Sequence, residues 1–222
     1  SIAFNTRFNI EQVSIEGIER ISSSDIEYAE EFGYTIKLLA IAEDCDTNGV
    51  NLRVHPTFLA KSHPLSNING VFNAIFVTGD AVDDVMFYGR GAGKMPTASA
   101  VCADIMDVAH NITYHNTNNF VCGCYKNRPV CSTNKMFFSF YIRLLVADKP
   151  GVLSAISAAF GSQEVSIRSV VQKRLVDDNA ELVIVTHKVL EINLRMAEQT
   201  LKVMPAVVDI CNIIRVEDDL GD

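Results

Sequence analysis

Apolar and polar positions recur along this chain with two periods, and each switch between them marks an element. In the first hundred residues the strand period dominates. YTIKLLAIAE (34–43) and VNLRVHPTFLA (50–60) read as strands, with DCDTNG as the turn between them. GVFNAIFVTG and DDVMFYG add two more strands, and the four neighbours predict one antiparallel or mixed sheet. Helix signals flank them. Asn9 with Gln12 and Ser24 with Glu27 fit capping boxes, and the helix after Ser24 runs to Phe32 and stops at Gly33. Val101, Ile105 and Val108 then recur at helical spacing, which predicts a helix over residues 97–110.

The second patterned stretch is cleaner. FFSFYIRLLVAD reads as a strand and PGVLSAISAAFG as a helix, with Pro150 in its first turn and Val152, Leu153, Ile156, Ala159 and Phe160 on one face. VSIRSVVQKRL and ELVIVTHKV are strands around the turn DDNA. INLRMAEQTLKVM is a helix with Leu194, Ala197 and Leu201 on one face, and VVDICNIIRVED is a final strand. The order βαββαβ is that of a ferredoxin-like unit. Between the two stretches lies HNTNNFVCGCYKNRPVCSTNK, polar, Asn-rich and aperiodic. It divides the chain into residues 1–116, a linker over 117–136, and residues 137–222. The fold class is α+β: a mixed or antiparallel sheet with helices on one face, followed by the βαββαβ unit.

Composition narrows the function classes. The 222 residues are 48% hydrophobic and 21% charged, which is globular. A net charge of -8 argues against an extended nucleic-acid surface, and no apolar run reaches the ~20 residues that a bilayer span needs. The N-terminus, SIAFNTRFNI, is not a secretory signal and reads as a start in the middle of something. Cys122, Cys124 and Cys131 with His115 amount to four zinc-type ligands, but the usual two-residue gap between paired ligands is absent. Reduced cytosolic thiols, no metal and a cytoplasmic location are the expectation.

The stretch YGRGAGKMPTASAVCADIMD carries the chemistry. A strand, a glycine turn and a helix place unpaired amides and a positive dipole end at one point, where phosphate commonly binds. The spacing Gly89-Xaa-Gly91-Ala-Gly93 is not the dinucleotide fingerprint, and a tight turn that binds nothing explains the glycines equally well. Lys94 reads as solvated. His63, in a loop, has no identified partner, and Lys37 reads as a sheet-edge or solvent-facing lysine. The acid pairs Asp44 with Asp46 and Asp83 with Asp84 read as solvated turn faces.

That stretch, together with SIAFNTRF, EGIERISSSDIEYAEEFGYTIKLLAIAE and HPLSNINGVFNAIFVTGD in the same order, resembles the homoserine dehydrogenases over residues 1 to about 111. The second region resembles an ACT domain, a small-molecule sensing module carried by many of them. The resemblance implies NAD- or NADP-dependent interconversion of L-homoserine and L-aspartate 4-semialdehyde, a step toward threonine, isoleucine and methionine. It places Gly91, Ala92 and Gly93 against the cofactor, with Thr97 as the helix cap. The family's nucleotide-binding glycine motif, and its acidic residue and lysine for homoserine, have no counterpart here. The chain is therefore expected to be a C-terminal fragment with no catalytic residue, no bound cofactor and no turnover of its own.

In ADKPGVLSAI the amides of Gly151, Val152 and Leu153 suit an amino acid's carboxylate, and Asp148 its ammonium. Threonine is the effector the resemblance implies, and a turn that only connects strand to helix is the alternative. ACT-like domains pair side by side, and the apolar edges FYIRLLV and VDICNIIRV suit a homodimer or higher oligomer. A non-enzymatic amino-acid sensor whose first region only dimerises is the rival reading, and a dehydrogenase acting on another small amino acid is the third.

Overall fold

The structure is a computed structural model that describes residues 1–115, 123–176 and 179–217. Along the chain come β1 (Ser14–Ile15), α1 (Ser23–Glu31), β2 (Tyr34–Asp44), β3 (Val50–Ala60), β4 (Phe72–Gly79), β5 (Asp83–Arg90), α2 (Lys94–Thr113), β6 (Val130–Cys131), β7 (Phe137–Ala147), α3 (Val152–Gly161), β8 (Ile167–Val176), β9 (Asn179–Thr186), β10 (Val189–Leu190), α4 (Glu191–Lys202) and β11 (Val207–Glu217). They gather into two compact units, one of Phe8–Lys61 with Arg128–Leu220, the other built mainly from Ser62–Asn127 with Ser1–Arg7.

In the larger unit, β11, β7, β9 and β8 lie side by side, each pair antiparallel. This is the predicted ferredoxin-like order. Phe140, Ile142 and Leu144 of β7 face Ile156 and Phe160 of α3 and Leu194 and Leu201 of α4, all fully or nearly buried. Alternation along β7 sends Tyr141 to the opposite face. There it joins Val183, Ile214, Phe58 of β3, and Tyr28 and Ala29 of α1 in a second core. Helices therefore cover both faces of this sheet. The Tyr141 ring stacks on Phe58 at 4.4 Å between centroids.

α1 begins two residues earlier than its sequence signal. Ser22 is the cap: its Oγ accepts from the Asp25 amide at 3.3 Å, and its own amide donates to Asp25 Oδ2 at 2.9 Å. The helix stops as expected before Gly33, at φ 84°. β2 and β3 form a long hairpin in register from Tyr34↔Ala60 to Asp44↔Val50. Gly49 closes it at φ 108°, where any side chain would collide with the Pro129 carbonyl that receives the Val50 amide at 2.9 Å.

Two expectations about the sheets fail. β4 and β5 do not join β2 and β3; they form a two-stranded sheet of their own. The reason is that the second edge of β3 is taken in turn by β6, β1 and β11, in parallel. Through β3 and β11 the first region's hairpin and the ferredoxin-like unit become one sheet, with strands from both sides of residues 117–136. The other correction concerns FYIRLLV, which is not a free edge, and VDICNIIRV, which is bordered on both sides only at Arg215 and Val216. β7 is bordered by β11 and β9, and β11 by β7 and, over Arg215–Glu217, by β3.

Candidate functional site

The glycine turn lies in the smaller unit. β5 ends at Arg90, and α2 starts at Lys94 with Gly93 as its cap, at φ 126°. The helix starts earlier than its apolar spacing indicated. Thr97 is therefore not the cap; it sits inside the first turn and its amide donates to the Gly93 carbonyl at 3.1 Å. The three glycines are not equivalent. A side chain at Gly91 would run into Asn73, and the Gly91 amide already donates to the Val71 carbonyl at 3.0 Å. Gly93 holds a backbone conformation that L side chains rarely adopt, whereas Gly89 opens onto empty space. Gly91, Ala92 and Lys94 are exposed, and none of the helix's residues is buried. Ile105, Met106 and Ile112 stand 62%, 67% and 70% exposed, a bare apolar surface on a helix with no packed face.

His63 caps the short helical turn that follows it. Its Nδ1 accepts from the Leu65 amide at 3.1 Å, and its ring meets Phe76 edge-on at 5.0 Å. An accepting Nδ1 puts the proton on Nε2, which is buried without a partner among the described residues. Burial lowers its pKa, with Asp84 opposing.

In the larger unit the turn after β7 leaves Asp148, Lys149 and Pro150 exposed, and Gly151 caps α3 at φ 88°. The Val152 amide donates to the Lys149 carbonyl at 3.3 Å, so it is shared with the turn itself. Gly151, Leu153 and Asp148 face solvent. Of the cysteines weighed as metal ligands, Cys122 lies outside the described residues. Among those described, no three His, Cys, Asp or Glu side chains converge as a metal set.

The strongest electrostatics lie where the sequence reading placed nothing. Asp25, fully buried, accepts from Arg143 Nε at 2.8 Å, Tyr141 Oη at 3.0 Å and Asn212 Nδ2 at 3.0 Å. Burial pushes its carboxyl up, but hydrogen bonds from Arg143, Asn212 and Ser22 outweigh this and hold it below the usual carboxylate range. Arg143 also donates to Glu181 at 3.1 Å, and Glu181 accepts from the Tyr28 hydroxyl at 2.7 Å. A second cluster surrounds Arg215, whose guanidinium is held by two carboxylates. It donates to Glu191 at 2.9 and 2.8 Å and to Glu16 at 3.0 and 2.8 Å. Arg195 completes it with bonds to Glu191, Glu16 and Glu198. Next to it, buried His55 is driven down to about 4, by burial first and by Arg215 second. A signal for these clusters was present: Arg143 and Arg215 are lone charges inside apolar strands, FYIRLLV and NIIRV, and a buried charge requires a partner.

The fold and its sites define a chain of two kinds of part, a strand–glycine turn–helix segment and a ferredoxin-like βαββαβ module. Residues 1–106 match the homoserine dehydrogenase family and residues 140–205 the ACT domain. The first segment is thus similar to the homoserine dehydrogenases, and the second to ACT domains. The chain is 42% identical to the homoserine dehydrogenase of Synechocystis, over 97% of its own length and 52% of the relative's. It is 41% identical to that of Corynebacterium glutamicum, over 99% and 50%. A solved homoserine dehydrogenase from Thiobacillus denitrificans superposes with a TM-score of 0.85 at 36% identity, covering 98% of this chain and 50% of that one. The chain thus spans about half the length of the relatives it matches. Among the described residues, no helix is long and apolar enough to cross a membrane.

Proposed function

We propose that these residues serve in a homoserine dehydrogenase, a cytoplasmic enzyme that interconverts L-homoserine and L-aspartate 4-semialdehyde with NAD or NADP. Its products feed threonine, isoleucine and methionine formation. The observation that carries this reading is the glycine turn and α2 inside a segment matched by that family, followed by an ACT domain. Gly91, Ala92, Gly93 and the first turn of α2 with Thr97 lie against the cofactor. The exposed backbone at the turn and the positive end of a 20-residue helix suit its phosphates. Hydride transfer also needs an oriented alcohol and a group that takes its hydroxyl proton. On this reading those groups are not supplied by these 222 residues, which alone do not turn over.

The ACT domain takes an amino acid, threonine first, at the turn of Asp148, Gly151, Val152 and Leu153. Regulation follows only if that ligand prefers one of two conformations. The test is complementation. The purified chain alone is expected to give no homoserine-dependent reduction of NAD or NADP. Mixed with the other half of the Synechocystis relative, it is expected to restore that reduction. Turnover by the chain alone, or two folded, associated halves that remain inert, refutes the proposal.

A further inference from the structure

β3 and β11 are paired only from Arg215↔Thr57 to Glu217↔Leu59. Upstream, β1 takes the β3 edge at Arg53 and Val54 while β11 continues beside β7, so the two strands fork. The fork opens a cleft of about 470 Å³, lined among others by Glu16, Glu19, Arg20, Asn134, Arg195 and Arg215. That volume is in the range of small-molecule sites. It also sits at a seam. The loop of Glu16–Arg20 comes from the segment matched to homoserine dehydrogenases, and Arg195 lies on α4 within the ACT domain.

The floor is already satisfied by its own ion pairs. Glu191 and Arg215 are 2% and 3% exposed, bonded to each other and to Glu16 and Arg195. Binding capacity remains at the rim. Arg20 uses only Nη2, donated to the Ile210 carbonyl at 2.9 Å. The side chains of Asn134 and Glu19 have no hydrogen-bond partner among the described residues. Glu19 folds back over Gly17, where any Cβ would collide with its carboxylate, so the glycine is what lets that charge lie along the cleft. The lining carries Glu16, Glu19, Glu191 and Glu198 against Arg20, Arg195 and Arg215. An acidic excess disfavours phosphates and nucleotides, whereas a lining that carries charges of both signs suits a zwitterion.

We propose that the fork cleft between β3 and β11 is a binding site for a free α-amino acid, its carboxylate on Arg20 and Asn134 and its ammonium on Glu19. The inference rests on the proposed reading that the ACT domain of this enzyme takes an amino acid, and it adds a site distinct from the Asp148–Leu153 turn. A ligand here touches both family segments at once, and that contact is what coupling them requires.

The test is calorimetric titration of the purified 222-residue chain with L-threonine, L-isoleucine, L-methionine and L-lysine, each at millimolar concentration. It is repeated with Arg20→Met, Glu19→Gln and Asp148→Asn, each shown to be folded by circular dichroism. Arg20 and Glu19 are exposed, so these variants fold. The expected result is a binding event for at least one of the four that Arg20→Met and Glu19→Gln each weaken tenfold or more and that persists in Asp148→Asn, which removes only the share bound at the turn. The bound amino acid is also expected to shift the Asn134 side-chain amide resonances. Binding weakened by Asp148→Asn alone overturns the cleft and leaves the turn. No heat with any of the four overturns both.

Discussion

Arg143 on β7 donates its Nε–H to Asp25 Oδ1 on α1 at 2.8 Å, across 118 residues of chain, with the carboxylate fully buried. The pair fastens α1 to the face of β7 opposite α3 and α4. Removing one partner leaves the other's charge buried and uncompensated, which costs about 3–5 kcal/mol. Asp25→Ala is expected to lose stability of that order in urea unfolding, and Asp25→Asn less, since the amide still accepts from Arg143. Asp25 has its pKa held down in the fold, so its contribution is present above the unfolded value near ~3.9 and is lost as pH falls through the folded value. Wild type should therefore lose stability on acidification below about pH 4 in a way Asp25→Asn does not.

His55 predicts a separate acid effect at higher pH. It is 1% exposed, and its folded pKa is lowered from 6.5 to about 4 by burial and then by Arg215. The unfolded chain binds the proton first, so stability is complete above about 6.5 and falls as pH drops toward 4. The full loss is roughly 3 kcal/mol. Unfolding measured from pH 7 to 4.5 is expected to slope downward in wild type and to flatten in His55→Gln. Equal slopes in the two would remove His55 as the cause.

The elements were legible in the sequence because their periods are local. The βαββαβ order, the β2–β3 hairpin and the stop at Gly33 all follow from spacing and turn residues within a few positions. What was not legible is long-range. Nothing near VNLRVHPTFLA states that its second edge belongs to β11, 158 residues on at Thr57↔Arg215, and so the four strands of the first region were expected in one sheet. The Asp25 and Arg215 clusters depend on the same distant pairings. The lone arginines in apolar strands announced that partners exist without naming them. The Thr97 cap failed for a local reason: Gly93 tolerates the positive φ needed to start α2 three residues earlier than its apolar spacing suggests.

The glycine turn gives a graded prediction. Gly89→Ala meets no neighbour and should change stability by no more than about 0.5 kcal/mol in either direction. Gly93→Ala must hold φ 126° with ψ 150°, a region open essentially to glycine alone, and should cost about 1–3 kcal/mol. Gly91→Ala must displace the Asn73 side chain and should fall between them. Thermal shifts of the three variants check the order. A Gly89 variant as damaged as the Gly93 variant would mean that the turn is shaped by something other than backbone geometry and side-chain space.

Self-association is the last expectation, and its surface differs from the one the sequence suggested. β7 is taken up inside the sheet, and β11 is bordered on both sides only at Arg215 and Val216. Among the large apolar side chains left bare are Ile105, Met106 and Ile112 on α2, and Ile75 and Phe87 of the β4–β5 hairpin, 66% and 64% exposed. Several such side chains on one helix suit an interaction site. Sedimentation of the purified chain is expected to show a dimer or larger species, and Ile105→Glu to weaken it at least tenfold by placing a charge in the contact. A species of 24.4 kDa alone at micromolar concentration would refute self-association. An unchanged oligomer in Ile105→Glu would move the contact off α2, toward β8, which among the described residues pairs only with β9 and so leaves its other backbone edge open.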